Sequence, residues 1–161
     1  MQLGMSLETF TTFHVIISLI GIVSGLMVLF GFLTAKRFPI LTAIFLITTV
    51  ATSATGFLFP FHGFKPSYAV GVLSLVVLLF AILGRYVGHL AGAWRWIYVV
   101  SSVIALYFNV FVLVAQSFGK IPALKALAPT QSEPPFAIAQ LVVLLLFVVL
   151  GIFSVKKFRA A

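Results

Sequence analysis

Phe136–Val155 reads FAIAQLVVLLLFVVLGIFSV, and this stretch of 20 residues decides the fold class. It contains no charged residue. A helix needs about 20 predominantly apolar residues to cross the hydrocarbon core of a bilayer. The apolar run is continuous rather than alternating, which favours a helix over a strand of a β-barrel. The stretch therefore predicts a transmembrane helix.

Four further apolar stretches precede it, so we predict an all-α transmembrane bundle of five spans in one domain, residues 1–161. Prolines at the starts of several spans agree with this, because proline is well tolerated in the first helical turn. A short segment at about 120–128 is predicted to lie at the interface. The spans are expected at about 13–33, 40–59, 67–88, 96–116 and 136–155.

The composition excludes most other classes of protein. Of the 161 residues, 63% are hydrophobic and 7% charged, and the mean hydropathy is +1.28. A soluble domain has about 45–50% apolar residues and about 25% charged ones. There is no Cys or Asp, and the two carboxylates, Glu8 and Glu133, fall outside the predicted spans. Disulfide bonds, thiolate metal sites and paired-carboxylate hydrolysis are therefore excluded.

The distribution of basic residues predicts the orientation. The formal net charge is +8, and the Lys and Arg residues lie near span ends, which indicates a lipid bilayer rather than nucleic acid as the partner. Because cytoplasmic loops are enriched in Lys and Arg, we expect a cytoplasmic C-terminus and an outside N-terminus. Trp94, Trp96 and Tyr98 are predicted to form an aromatic belt on the inner side. The inner face holds Lys36, Arg37, Arg85, Arg95, Lys156, Lys157 and Arg159, and the outer face Lys65, Lys120 and Lys125.

Small and polar residues mark the helix faces that pack together in lipid, where the hydrophobic effect does not drive association. Gly21 and Gly25 form a G-x-x-x-G pair, which fits either a contact within the chain or a homodimer seam. The hydroxyls of span two predict a central position for that helix. Asn109, deep in span four, needs a partner, either a span-two hydroxyl or a ligand. The predicted packing residues are Ser18, Gly21, Gly25, Ser53, Gly56 and Gly71.

The most specific local feature is the segment TGFLFPFHGFKP at residues 55–66, predicted to be a rigid aromatic turn on the outer side. Several polar residues of other spans are expected on the same side. Together they predict a polar pocket beneath the outer leaflet, roofed by aromatic side chains. We predict no catalytic residue and no metal ligand. The candidate ligand-binding residues are His14, His62, Phe61, Phe64, Lys65, Asn109, Gln116 and Gln140.

Several functions remain open for this pocket. The first is a non-enzymatic role, as an accessory subunit of a larger membrane complex or as a module that binds a lipid or another hydrophobic ligand. The second is a redox protein that binds haem b through His14 and His62, or a quinone. A small transporter is the third. A metal site formed by these two histidines and the two Glu residues is disfavoured, because the four residues lack the spacing of metal ligands. Nucleophilic catalysis by Ser18, one turn from His14, is disfavoured because no acid is placed to orient that histidine.

Two segments of the chain resemble a known group of proteins. TGFLFPF at residues 55–61 and LAPTQSEPPF at residues 127–136 are similar to segments of small, uncharacterised bacterial inner-membrane proteins that cross the membrane several times. The similarity runs from span one to span five. It implies a bacterial inner-membrane location, and it brings no activity, cofactor or catalytic residue.

Overall fold

The structure is a computed structural model that describes residues 6–36, 38–57, 66–130 and 133–158. All regular secondary structure in this part of the chain is helical. Five helical segments are long and apolar enough to span a membrane, which confirms the predicted fold of a multi-pass membrane protein. The elements are α1 (Leu7–Thr34), α2 (Pro39–Gly56), α3 (Pro66–Ile82), a π-helical turn (Leu83–Val87), α4 (Ala93–Lys120), α5 (Pro122–Leu127) and α6 (Pro134–Lys157).

The five crossings give the bundle two ends. The N-terminus end holds the starts of α1, α3 and α6, the ends of α2 and α4, and the short helix α5. The C-terminus end holds the opposite termini of the same helices. Helix α5 coincides with the predicted segment at about 120–128, and Pro122 occupies its first turn, where a missing N–H costs nothing.

Helix α1 begins earlier than the apolar run predicts. The run starts at Phe13, whereas the helix starts at Leu7 because the Ser6 side chain accepts a hydrogen bond from the backbone N–H of Thr9. A serine at this position satisfies one of the first N–H groups of a helix. At its other end, α1 stops at Ala35, which has a left-handed backbone conformation (φ 54°). The N–H of Ala35 donates to the carbonyls of Gly31 and Phe32 in the last turn.

Helices α1 and α4, rather than α2, occupy the centre of the bundle. Helix α4 packs against α1, α3, α5 and α6, and α1 packs against α2, α4 and α6. In the most apolar part of both α1 and α4, 44% of residues are buried, against 28% for α2 and 11% for α6. The hydroxyls of span two therefore mark a helix that contacts the central helices without being central itself. Helix α6 lies at the periphery, packed on α4 and α1.

The G-x-x-x-G pair of α1 is a contact within the chain. Both Gly21 and Gly25 are buried. A Cβ atom on Gly25 would lie 2.7 Å from Leu106 of α4 and 2.8 Å from Phe45 of α2. The absence of a side chain at this position is therefore what allows α1 to approach both neighbours.

The C-terminus end is closed by an aromatic cluster of Phe32, Tyr98 and Phe158. The ring of Phe32 lies edge-on to Tyr98, with centroids 5.4 Å apart, and 5.0 Å from Phe158. Tyr98 is only 1% exposed, so its predicted place in an interfacial belt is wrong. The Arg95 guanidinium donates to the carbonyls of Val155 and Phe158, at 3.0 and 2.5 Å, and fixes the end of α6.

The π-helical turn brings Arg85 to the same end. Its guanidinium lies over the Tyr98 ring, 5.5 Å from the centroid, and 5.9 Å from that of Tyr86. These distances are typical of cation–π contacts. The chain then turns into α4 through Gly92, whose backbone (φ 54°, ψ −126°) suits glycine.

Candidate ligand-binding cavity

A cavity of about 540 Å³ lies between α1, α2, α3 and α4 in the half of the bundle nearest the N-terminus end. Its volume is in the range of small-molecule sites. The lining residues of α1, α2 and the residue that follows α2 are Thr11, His14, Val15, Ser18, Leu19, Ile22, Thr52, Ser53, Gly56 and Phe57. Those of α3, α4 and the following residue are Val70, Gly71, Ser74, Phe108, Asn109, Val112, Leu113, Gln116, Ser117, Lys120 and Ile121.

His14 is held in the cavity wall by Thr55. Its Nδ1 lies 2.8 Å from the Thr55 hydroxyl. That hydroxyl donates its own proton to the carbonyl of Ala51, 2.6 Å away, and therefore accepts from the histidine. In the neutral ring, this arrangement places the proton on Nδ1 and the lone pair on Nε2. The ring orientation is thus set by a helix other than its own.

Asn109 forms the interhelical hydrogen bond that the sequence predicts. Its Nδ2 donates to the hydroxyl of Thr49, 3.2 Å away, and links α4 to α2. Gly21 leaves the space for this pair, because a Cβ there would lie 3.2 Å from the Thr49 hydroxyl and 3.6 Å from Nδ2 of Asn109. Asn109 also lines the cavity. It therefore links two helices and is also placed to contact a ligand.

A hydroxyl pair joins the far wall of the cavity. Ser53 of α2 donates to Ser74 of α3 at 3.1 Å. Other hydroxyls of the lining bond back to carbonyls of their own helices, as Ser18 does to Val15 and Ser117 does to Leu113. Such bonds satisfy the hydroxyl proton and leave oxygen lone pairs on the cavity side. These hydroxyls therefore place uncharged polar groups within a wall that is otherwise largely apolar.

Two glycines keep the cavity open. A Cβ on Gly56 would meet only the His14 ring, at 3.7 Å, so the space in front of it is accessible. A Cβ on Gly71 would lie 2.9 Å from the Phe57 ring, which stands against the α3 backbone. Phe57 thus provides an aromatic wall, in part as the sequence predicts for this segment.

The cavity reaches the protein surface between α1 and α4. Five apolar residues of its lining are exposed by about two fifths or more, three of them on α1 and α4: Val15 at 39%, Leu19 at 43%, Leu113 at 39%, Phe57 at 38% and Ile121 at 47%. In a membrane, such side chains face lipid tails. At the end of α4, the lining also includes Gln116 and Lys120, both exposed. The cavity therefore has an apolar side opening and a polar mouth.

The structure brings together some of the predicted ligand residues and not others. His14, Asn109 and Gln116 line one cavity, as do four predicted packing residues. Gln140 does not: it donates to the backbone carbonyl of Phe111, 3.2 Å away, at the α4–α6 contact. It lies outside this cavity, because α6 contributes no residue to the lining. The remaining candidates lie outside the described residues: His62, Phe61, Phe64 and Lys65.

Sequence reasoning missed Lys120 as a lining residue and assigned it to lipid headgroups alone. The signal that finds it is the spacing along α4. Asn109, Gln116 and Lys120 follow at intervals of seven and four residues, which is one face of a helix. Thr55 is the other omission, and its position opposite His14 depends on how α1 and α2 pack.

Metal and haem chemistry receive limited support from the lining. Within the described ranges, no three His, Asp or Glu side chains come together. Glu133 instead accepts hydrogen bonds from the backbone N–H and hydroxyl of Thr130, at 2.9 and 2.7 Å. His89 follows the π-helical turn at the C-terminus end, far from His14 along the bundle.

Comparison with protein-family models, with curated proteins and with solved structures finds no match.

Proposed function

We propose that the protein is a non-enzymatic membrane module that binds an amphiphilic ligand of the lipid class in the cavity between α1, α2, α3 and α4. The observation that carries the proposal is the wall of this cavity. Uncharged polar groups line its interior, among them Asn109 and the Ser53–Ser74 pair, and exposed apolar residues border its opening toward lipid. A ligand with a polar head and an apolar tail matches both surfaces.

The packing beyond the cavity favours binding over transport. Below Asn109 the interior of the bundle is filled by large apolar side chains, including Phe45, Leu46 and Leu106. All three are at most 3% exposed. A transported solute needs a polar path to the other end, and the aromatic cluster at the C-terminus end adds a second barrier.

The hydrogen bonds of the lining favour a non-enzymatic role. The Ser18 hydroxyl donates to the carbonyl of Val15 rather than to His14. His14 uses its Nδ1–H on Thr55, where a catalytic triad would place a carboxylate. The lining thus offers hydrogen bonds for recognition without an activated nucleophile.

Two variants that each add a leucine side chain test the proposal. Gly56→Leu should place its side chain in the cavity, because the added Cβ atom meets only the His14 ring. The amount of lipid or quinone that co-purifies in detergent, measured by organic extraction and mass spectrometry, should fall about fivefold or more, as expected for overpacking of about 1–3 kcal/mol.

The matched control is Ala137→Leu on α6, at an exposed position outside this cavity and outside a second, apolar cavity of about 450 Å³ between α4 and α6. It should leave the co-purified ligand unchanged. Equal retention by Gly56→Leu and the unaltered protein would refute the proposal, and so would an equal loss from the two variants.

One observation favours a redox variant of this function. Histidines that ligate metals usually donate their second N–H to another group, as His14 does to Thr55. If the ligand is haem b, the purified protein should show a Soret band, and His14→Ala should abolish it. A protein without this band, whose extract contains quinone, would instead identify the redox ligand as a quinone.

We further propose that the protein resides in a bacterial inner membrane with its C-terminus in the cytoplasm. The support is the excess of Lys and Arg at the C-terminus end. The sequence contains no Cys, so a single introduced Cys is a unique label. Ser6→Cys should react with an impermeant maleimide in intact cells and Lys157→Cys only after lysis; the reverse pattern would overturn the orientation.

A further inference from the structure

The cavity carries a positive charge without a balancing negative one. Lys120 is part of the lining, and no Asp or Glu is. Of the two carboxylates of the chain, Glu8 is exposed in the first turn of α1, and Glu133 is bonded to Thr130. A cation at the rim of a partly apolar cavity favours an anionic ligand group.

The position of this charge divides the cavity into regions. Asn109 and Lys120 are 11 positions apart on one face of α4, which corresponds to about 16 Å along the helix axis. Gln116 lies between them, one turn before Lys120. The ammonium and the neighbouring amide are hydrogen-bond donors at the mouth, while the apolar side opening lies beside Val15 and Leu113.

The donors at the mouth fit an acceptor-only group. An ionised carboxylate or phosphate ester accepts several hydrogen bonds and donates none. Lys120 supplies three N–H donors, and the Gln116 amide supplies two. A zwitterionic head would bring its own cation close to Lys120, and the lining contains no carboxylate to offset that repulsion.

We propose that the ligand is an anionic amphiphile, with its acidic head group bound by Lys120 and Gln116 and its tail leaving between α1 and α4. This inference rests on the proposed function and adds the charge of the ligand to it. The acidic head shared by phospholipids and by free fatty acids is the recognised chemistry. The two sources differ in size and are separated by the test.

The test compares two lysines in equivalent local settings. Lys120 and Lys125 are both exposed and both lie in the last turn of a helix, but only Lys120 lines the cavity. The proteins are purified in a neutral detergent. Native mass spectrometry then measures binding of added phosphatidylglycerol, oleate and phosphatidylcholine at equal concentrations.

The unaltered protein should bind phosphatidylglycerol or oleate in preference to phosphatidylcholine. Lys120→Gln should reduce that preference about fivefold, the effect expected for an exposed charge pair of about 1 kcal/mol. Lys125→Gln should leave it unchanged. Whichever anionic probe binds identifies the source of the head group.

Two results would overturn the inference. One is equal binding of anionic and neutral lipid by the unaltered protein; the other is an equal effect of the two lysine variants, which would indicate a general surface attraction. Neither result affects the Gly56→Leu test, so failure of this inference and failure of the proposed function are distinguishable.

Discussion

The two ends of the bundle use the same helices and differ in the size of their side chains. At the N-terminus end, glycines and hydroxyl residues face one another and leave a cavity of about 540 Å³. At the C-terminus end, Phe32, Tyr98 and Phe158 meet in the interior, and the cavity of about 450 Å³ in that half lies between α4 and the peripheral helix α6. Because lipid gives no hydrophobic drive for helix association, packing quality decides where such a bundle is rigid. The comparison indicates a closed, stabilising end and an open end suited to binding.

Removal of the aromatic plug should have the largest effect. Phe158→Ala deletes a ring that is 1% exposed and in contact with Phe32 and Tyr98, and should lower the free energy of unfolding by about 3–5 kcal/mol. Unfolding by SDS in mixed micelles measures it. Phe153→Ala, at an exposed position of the same helix, is the control, and equal losses would show that the closed end is not special.

Loss of the arginine contact at the same end should rank second. Arg95→Gln removes the charged hydrogen bonds to the carbonyls of Val155 and Phe158, and should cost about 2 kcal/mol. Lys157→Gln removes a charge from the end of α6 without these bonds and should cost little. The same unfolding assay measures both variants. An Arg95→Gln variant with an unchanged free energy of unfolding would show that ring packing alone holds α6.

The close helix contact between the two ends should come third. Gly25→Ala places a Cβ 2.7 Å from Leu106 and should destabilise by about 1–2 kcal/mol. Gly151→Ala meets ordinary contact distances and should be neutral, or stabilising by up to about 1 kcal/mol through helix propensity. A stabilising Gly25→Ala would contradict the close approach of α1 to α2 and α4.

The smallest effect is expected at the open end. Ser74→Ala removes the hydrogen bond from Ser53, and interhelical bonds of this kind contribute about 0.6 kcal/mol on average in membrane bundles. The variant should unfold almost as the unaltered protein does. A loss as large as that of Phe158→Ala would remove the contrast between the two ends.

The spans were predictable because an apolar run of sufficient length has no other stable environment. Among the residues that line the cavity, His14, Asn109 and Gln116 were predictable from their depth in the spans and from the side of the membrane on which they lie. The errors concern contacts between distant segments. The contact of Gln140 with α4 was not predicted, because α6 is apolar on all sides and its sequence does not reveal which face meets α4. The burial of Tyr98 was not predicted, because its aromatic partners are remote in sequence.

The unequal lengths of the helices have a consequence for the lipid host. Helix α1 has 28 residues and α2 has 18. Since the end of α2 is level with His14, the first two turns of α1 overhang it by about 10 Å. In a bilayer that matches α2, this overhang stands among the headgroups and frames the mouth of the cavity. Membrane thickness then controls, through hydrophobic mismatch, how readily a ligand reaches the cavity.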